Sequence, residues 1–346
     1  MARARSDKSL ARFDRIALVL SGGSALGAYQ AGAYAALESR GIRPNWIAGT
    51  AIGAVNAAII AGNLPHERIF RLRQFWQELS RRVAAGSERD LRGKLRQLLA
   101  GHGPGRAAGA DGAARDRPVM RSSELRDLVA GAVDFDRVNS GAVRIVLGAV
   151  NLVTGTETYF DNDRHVLGPD HVLASAVLPG MPPTLIDNQR YGGSAVSVAA
   201  LDDARPADTL CFVVDGYDPV PGRSGGVSRS AREIAAVRRN HDLRRMIALL
   251  GERVPPALRG ESEIKKCLAE ASLATMTILH LVHEGSADEL AGKAADFSAD
   301  AVRSRWQAGE DDVATSLAHP LWLAPPPRRL GVVVHQLRGG LAAPPR

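Results

Sequence analysis

The chain has 346 residues, 45% of them hydrophobic and 23% charged, the make-up of a globular protein with one large domain or two ordinary ones. Two cysteines, Cys211 and Cys267, exclude a disulfide framework and sit in no metal-ligand spacing, which predicts a reducing, cytoplasmic setting. A net charge of +7 favours acidic partners such as an anionic membrane surface, or reflects an arginine-rich composition alone; without interleaved aromatics or a zinc motif it argues against nucleic acid.

Residues 1–13 read as a basic tail that leads into no signal-peptide core. No apolar run approaches the roughly 20 residues of a membrane span, so the protein is expected to be at most peripheral to a membrane. Ile16-Ala17-Leu18-Val19-Leu20 is continuously apolar, as a strand buried on both faces of a parallel sheet is. A glycine loop, Ser21-Gly22-Gly23-Ser24-Ala25-Leu26-Gly27, follows it, then a helix over residues 28–39 stopped by Gly41. Trp46-Ile47-Ala48 is the next short strand and residues 54–61 a small-residue helix.

Residues 66–99 predict an arginine-dense helix whose Ile69, Leu72, Phe75, Trp76 and Leu79 form one apolar stripe. Packing on a core with a solvated basic face is the plainer reading, a lid or membrane-facing helix the alternative. Residues 101–117, rich in Gly and Ala, read as a loop. Strands are expected at 143–150, 156–160 and 209–214. Helices are expected at 230–250 (a second basic helix, with Arg238 and Arg239), 263–283 and 300–317. Gly331-Val332-Val333-Val334-His335 is a candidate last strand in a Pro-rich tail.

This rhythm predicts an α/β fold in three layers, a mainly parallel central sheet with helices on both faces. The division is a domain over 14–215, a helical extension over 216–325 packed on the same unit, and a tail over 326–346. His165, His171, His280 and His283 form no ligand set, so neither metal nor cofactor is implied. His280 and His283 would stand one helical turn apart, as packing or surface residues.

Gly49-Thr50-Ala51-Ile52-Gly53 has the Gly-x-Ser-x-Gly frame of a nucleophile elbow, in which Gly49 and Gly53 let a strand turn sharply into a helix. At the apex stands Ala51, which has no hydroxyl and cannot attack a carbonyl. The earlier loop lacks the Lys-Ser/Thr pair of a phosphate loop and misses the dinucleotide spacing. One βα unit before an elbow, it fits an oxyanion hole better.

Residues 17–32 (Ala17-Leu18-Val19-Leu20-Ser21-Gly22-Gly23 onward), with Gly49, Gly53-Ala54-Val55-Asn56-Ala57, resemble the patatin-like phospholipase family. The likeness continues through Asn139-Ser140-Gly141-Ala142-Val143, Asn151 with Thr154-Gly155, His171-Val172-Leu173-Ala174-Ser175, and Leu178-Pro179-Gly180 with Pro182-Pro183. Asp296-Phe297-Ser298 and Arg305-Trp306 with Ala308-Gly309 resemble the C-terminal extension of a bacterial subgroup, so the likeness covers roughly residues 14–325.

The resemblance implies a lipid acyl hydrolase fold with a Ser–Asp dyad. The serine belongs at Ala51; the aspartate belongs in an Asp-Gly-Gly turn that corresponds to Tyr191-Gly192-Gly193. The segment between Pro183 and Gly192 is about two residues shorter than the family pattern. The oxyanion loop corresponds to Gly22, Gly23, Ser24, Ala25 and Gly27, with serine where the family has a third glycine. If that position is left-handed, serine costs roughly 1 kcal/mol or more. Asp187, the nearest carboxylate, reads as a hairpin-turn residue that points away from the site.

These departures predict a catalytically impaired homologue that retains a lipid or acyl site, with an apolar cleft beneath Ala51. A working acyl-ester hydrolase with a relocated nucleophile (Thr50, Ser24 or Ser194, none with an evident base) is the alternative, and an interaction subunit docking by its basic helices is the third.

Overall fold

The computed structural model describes residues 10–99, 120–176, 181–194, 206–216, 229–283, 294–324, 326 and 330–336, with backbone only for 87–99, 194, 229, 320 and 323, so the side chain of Ser194 lies outside the description. The 101–117 loop, the Leu178-Pro179-Gly180 block and most of both tails lie outside the described residues.

In chain order the elements are β1 (Arg15–Leu20), α1 (Gly27–Ser39), β2 (Trp46–Thr50), α2 (Ile52–Ala61), α3 (Arg68–Leu99), α4 (Ser122–Ala132) and α5 (Phe135–Asn139). Then come β3 (Arg144–Asn151), β4 (Glu157–Asp161), α6 (Pro169–Ser175), β5 (Thr184–Ile186), β6 (Gln189–Ser194) and β7 (Thr209–Asp215). The C-terminal part carries α7 (Arg229–Gly251), α8 (Ser262–Ala269), β8 (Met276–Val282), α9 (Ala299–Ala318) and β9 (Val332–Gln336).

One nine-stranded sheet runs β5-β6-β3-β2-β1-β7-β8-β9, with β4 on β3. From β3 to β9 every neighbouring pair along that path is parallel, which the continuous apolar runs of these strands require. The two faces of β1 divide the core: Leu18 and Leu20 pack with α1, α2 and α3, while Ala17 and Val19 pack with Ile234 and Val237 of α7. Leu72, Phe75, Trp76 and Leu79 of α3 are buried, so this helix packs on the core.

Two expectations are corrected. Residues 263–283 are a short helix, α8, followed by the strand β8, because Met276-Thr277-Ile278-Leu279-His280-Leu281-Val282 is a buried parallel strand whose uninterrupted apolarity resembles a buried helix. His280 and His283 therefore do not stand on one helical turn. The extension over 216–325 is also not purely helical, since β8 continues the same sheet, and the expected last strand, β9, pairs with it.

Helix α9 lies along α1 at backbone contact. A Cβ added to Gly32 would stand 2.0 Å from the Trp306 carbonyl oxygen, and one added to Gly309 would stand 2.1 Å from that of Tyr29. Only glycine permits this approach.

Beyond the elbow, β6 takes over the lane of β2. Strand β4 holds one edge of β3 along Val146–Val150, and β2 holds the other edge as far as Gly148. Where β2 turns away, Ser194 of β6 pairs with Ala149. Gly192-Gly193-Ser194 is thus placed next in line after the elbow.

Candidate functional site

Between β1 and α1 the chain makes one irregular turn and one 3₁₀ turn (Ser24–Leu26). Gly23 has φ 157° and Ser24 φ 52°, so the serine does occupy a left-handed position, at a cost of roughly 1 kcal/mol or more. The amides of Gly22 and Gly23 have no protein acceptor among the described residues, whereas the Leu26 amide is used by the Gly23 carbonyl at 3.0 Å.

This loop lies against the elbow. A Cβ on Gly22 would approach the Ala51 Cβ to 3.1 Å. A Cβ on Gly53 would stand 2.1 Å from the Leu20 carbonyl oxygen, and one on Gly49 2.6 Å from that of Gly53, so both frame glycines are required by contact. Ala51 itself has φ 51° and ψ −130°, a conformation that L residues rarely adopt, and α2 starts directly after it. Thr50 ends β2 as a buried residue. The elbow geometry is kept; its side chain is a methyl group.

Helix α6 holds the elbow. Ser175, fully buried, accepts the Ala51 amide hydrogen at 3.1 Å and donates its own proton to the Gly148 carbonyl at 2.5 Å. A second network fixes the loop. Gln30 Nε2 donates to the Ser21 carbonyl, Asn56 Nδ2 donates to the Gly27 carbonyl at 2.9 Å, and Trp76 Nε1 donates to Asn56 Oδ1 at 3.0 Å. From α9, buried Arg305 reaches the Ala25 carbonyl at 3.3 Å and that of Asp296 at 2.6 Å. Burial pushes the Arg305 pKa down and Asp296 opposes that.

Tyr191 stands in β6 opposite Asn151, three residues or about 10 Å further along β3 than the Gly148 that pairs with Thr50. Its ring packs edge-on against Phe160, 5.2 Å between centroids. Gly193, at φ 77°, occupies the irregularity in the β3–β6 register, with Ser194 and Gly192 paired on either side of it. Asp187 and Asn188, both at positive φ, form the two-residue turn of the β5–β6 hairpin, as expected.

One buried polar cluster was not legible in the sequence. Asp215, at the end of β7, accepts from Ser21 and, at 2.8 Å, from Ser230 on one carboxylate oxygen, while His280 Nε2 lies 2.6 Å from the other. Asp215 and His280 are almost fully enclosed. The apolar setting of His280 in β8 is its only sequence signal, and the three partners come from the glycine loop, α7 and β8, far apart in the chain.

A three-layer parallel sheet with a glycine loop and a strained strand-to-helix elbow at its carboxyl edge defines a serine-hydrolase class of architecture. The profile of the patatin-like phospholipases matches residues 18–217, and a second profile, described as patatin phospholipase, matches residues 227–329. The chain belongs to the patatin-like phospholipase family. Among solved structures it is similar to VipD from Legionella pneumophila, at 14% identity and a TM-score of 0.32, over 85% of this chain and 67% of that one. It is also similar to the structure of full-length ExoU with SpcU from the type III secretion system of Pseudomonas aeruginosa, at 18% identity and a TM-score of 0.31. That match covers 61% of this chain and 46% of the other. No curated protein sequence matches significantly. Among the described residues, no helix is long and apolar enough to cross a membrane.

Proposed function

We propose that this chain is a catalytically impaired member of the family that binds a lipid or fatty-acyl group at its glycine loop and elbow. The observation that carries this reading is Ala51, a strained nucleophile elbow that ends in a methyl group. The amides of Gly22 and Gly23, which have no protein acceptor among the described residues, would take the carbonyl oxygen of an acyl group in an oxyanion-hole arrangement that includes Ser24, Ala25 and Gly27. Tyr191 in the base position is an aromatic packing residue. The proposed ligand cleft lies beneath Ala51, and the protein acts in the cytoplasm, peripheral to membranes.

A relocated nucleophile has one observation in its favour, the hydrogen bond from Ser21 to Asp215 beside the loop. That carboxylate is already shared with Ser230 and His280, so the cluster is better read as a brace between the loop, α7 and β8. Neither Thr50 nor Ser24 has a carboxylate within hydrogen-bond reach among the described residues.

The test pairs binding with turnover. Displacement of a fluorescent fatty acid should report binding, while 4-nitrophenyl esters and phosphatidylcholine vesicles are not turned over and a fluorophosphonate probe labels no serine. Loss of a serine-hydrolase nucleophile costs on the order of 10⁶ in kcat, so steady hydrolysis above a heat-denatured control would overturn the proposal. Ala51→Ser with Tyr191→Asp serves as the comparison. Full activity is not expected of it, since the segment before Gly192 is short and residue 191 stands well along β3.

A further inference from the structure

Helices α3 and α9 carry the same sequence pattern. Arg73-Gln74-Phe75-Trp76-Gln77 and Arg303-Ser304-Arg305-Trp306-Gln307 both read Arg-x-x-Trp-Gln. At three- and four-residue spacing the arginine, tryptophan and glutamine share one face of their helix. The two faces meet: these side chains, with Val302 and Glu310, line one cavity of about 190 Å³ between the helices. Trp76, Val302 and Trp306 are buried and form its floor, while Arg73, Gln77, Arg303 and Gln307 are exposed and form two facing rims.

The floor is fixed in place. Trp76 donates its ring N–H to Asn56, and the Trp306 backbone lies against Gly32 of α1. The Arg73 guanidinium lies over the Trp306 ring, 4.6 Å from its centroid. Glu310 Oε1 accepts from Trp306 Nε1 at 2.7 Å and from Arg73 Nη2 at 3.4 Å, so this arginine is oriented before any ligand arrives. The rims keep donors in hand. Arg73 spends only Nη2 on Glu310 and Arg303 only Nη2 on Asp300, and the Gln77 amide has no partner among the described residues.

We propose that the α3–α9 groove is a phosphoester-binding site, in which Arg73 and Arg303 hold one phosphate from opposite rims and Gln77 adds an amide donor. Two guanidiniums against one carboxylate, that of Glu310, give the lining a charge of +1, which matches a monoanion. A planar carboxylate presents its oxygens to one fork at a time, whereas a tetrahedral phosphate presents oxygens to both rims at once. The apolar floor favours a phosphate that carries an organic substituent. The cavity is smaller than the roughly 300–1,000 Å³ of a drug-sized pocket, as suits a single phosphoester group. That group could belong to a lipid headgroup or to a soluble ester. The groove is separate from the glycine loop, so the site does not depend on acyl binding there.

Two of the four tryptophans line the groove, so intrinsic fluorescence of the full chain reports its occupancy. Titration with dimethyl phosphate and glycerol 3-phosphate tests a soluble source, and vesicles containing phosphatidylglycerol test a lipid one. A saturable change is expected with at least one of them. Arg303→Gln should weaken it at least about 10-fold, the loss of a hydrogen bond to a charged group. Gln77→Glu, which sets a carboxylate on the rim, should abolish it. Arg239→Gln removes the same charge from an exposed position of α7 and should leave it unchanged. Circular dichroism checks that each variant is folded. A vesicle response lost in Arg303→Gln assigns the headgroup, and a response to the soluble esters alone assigns a small phosphoester. No response to any probe, a response that survives both groove variants, or equal losses in Arg303→Gln and Arg239→Gln overturns the proposal. So does inorganic phosphate that binds as tightly as the esters, which would make the occupant a bare ion.

Discussion

The amide of Ala51 is bonded to the hydroxyl of Ser175 at 3.1 Å, and the same hydroxyl is bonded to the Gly148 carbonyl at 2.5 Å. One buried side chain thus joins the apex of the elbow, the last β2-paired residue of β3 and the end of α6. Without it, the amide of a strained residue would lose its protein partner.

Ser175→Ala should therefore destabilise the protein by about 1–3 kcal/mol, since it strands the Ala51 amide and the Gly148 carbonyl together. Urea denaturation followed by circular dichroism measures this. A midpoint equal to that of the wild type would mean that water replaces the hydroxyl at no cost.

Ala51→Gly should do the reverse. At φ 51° and ψ −130° the alanine sits where only glycine is comfortable, so removing its Cβ should relieve about 1 kcal/mol of backbone strain, partly offset by unfolded-state entropy. A higher urea midpoint is expected, with unchanged slope. Destabilisation would show that contact between the Ala51 methyl and the loop at Gly22 outweighs the strain.

The elements around the site were legible because each carries a local signature: the apolar run of β1, the glycines at 22, 23, 49 and 53, and the Asp187-Asn188 turn. What holds them was not. Ser175, Asp215 and Arg305 act across more than 100 residues of sequence, and nothing in their neighbourhoods marks a serine or an aspartate as a brace. In the sequence the β8 strand reads as helix, because a fully buried strand loses the alternation that distinguishes it. Helix α7 reads in the sequence as a single basic helix, whereas its apolar side chains divide along its length, Ile234 and Val237 being buried and Leu243 and Met246 exposed.

Gly32→Ala and Gly309→Ala test the contact of α1 with α9. Each adds a methyl group at about 2 Å from a carbonyl oxygen on the facing helix, so the helices must separate. Overpacking of this kind costs typically 1–3 kcal/mol and more where backbone must move, so either variant should lose at least about 2 kcal/mol and cleave faster in limited proteolysis. Wild-type stability in both would mean that the two helices slide freely, and would remove the reason for glycine at these positions.

The last prediction concerns pH. His171, in the first turn of α6, accepts the Gly168 amide hydrogen on Nδ1 at 3.0 Å and packs against Phe160 at 4.9 Å between centroids. Burial pushes its pKa below the usual histidine value, and the nearby His165 pushes in the same direction. The folded state therefore binds a proton less readily than the unfolded chain. Its contribution is fully present above about 6.5, the value for a free histidine, and is lost as the pH falls from there through the depressed folded value. Protonation of Nδ1 also removes the acceptor for Gly168 and loosens the start of the helix that carries Ser175. Thermal unfolding of the wild type should thus show a midpoint that falls between pH 7 and 5, and His171→Gln should flatten that slope while lowering the midpoint at pH 7. Parallel pH profiles for the two proteins would place the acid sensitivity elsewhere in the chain.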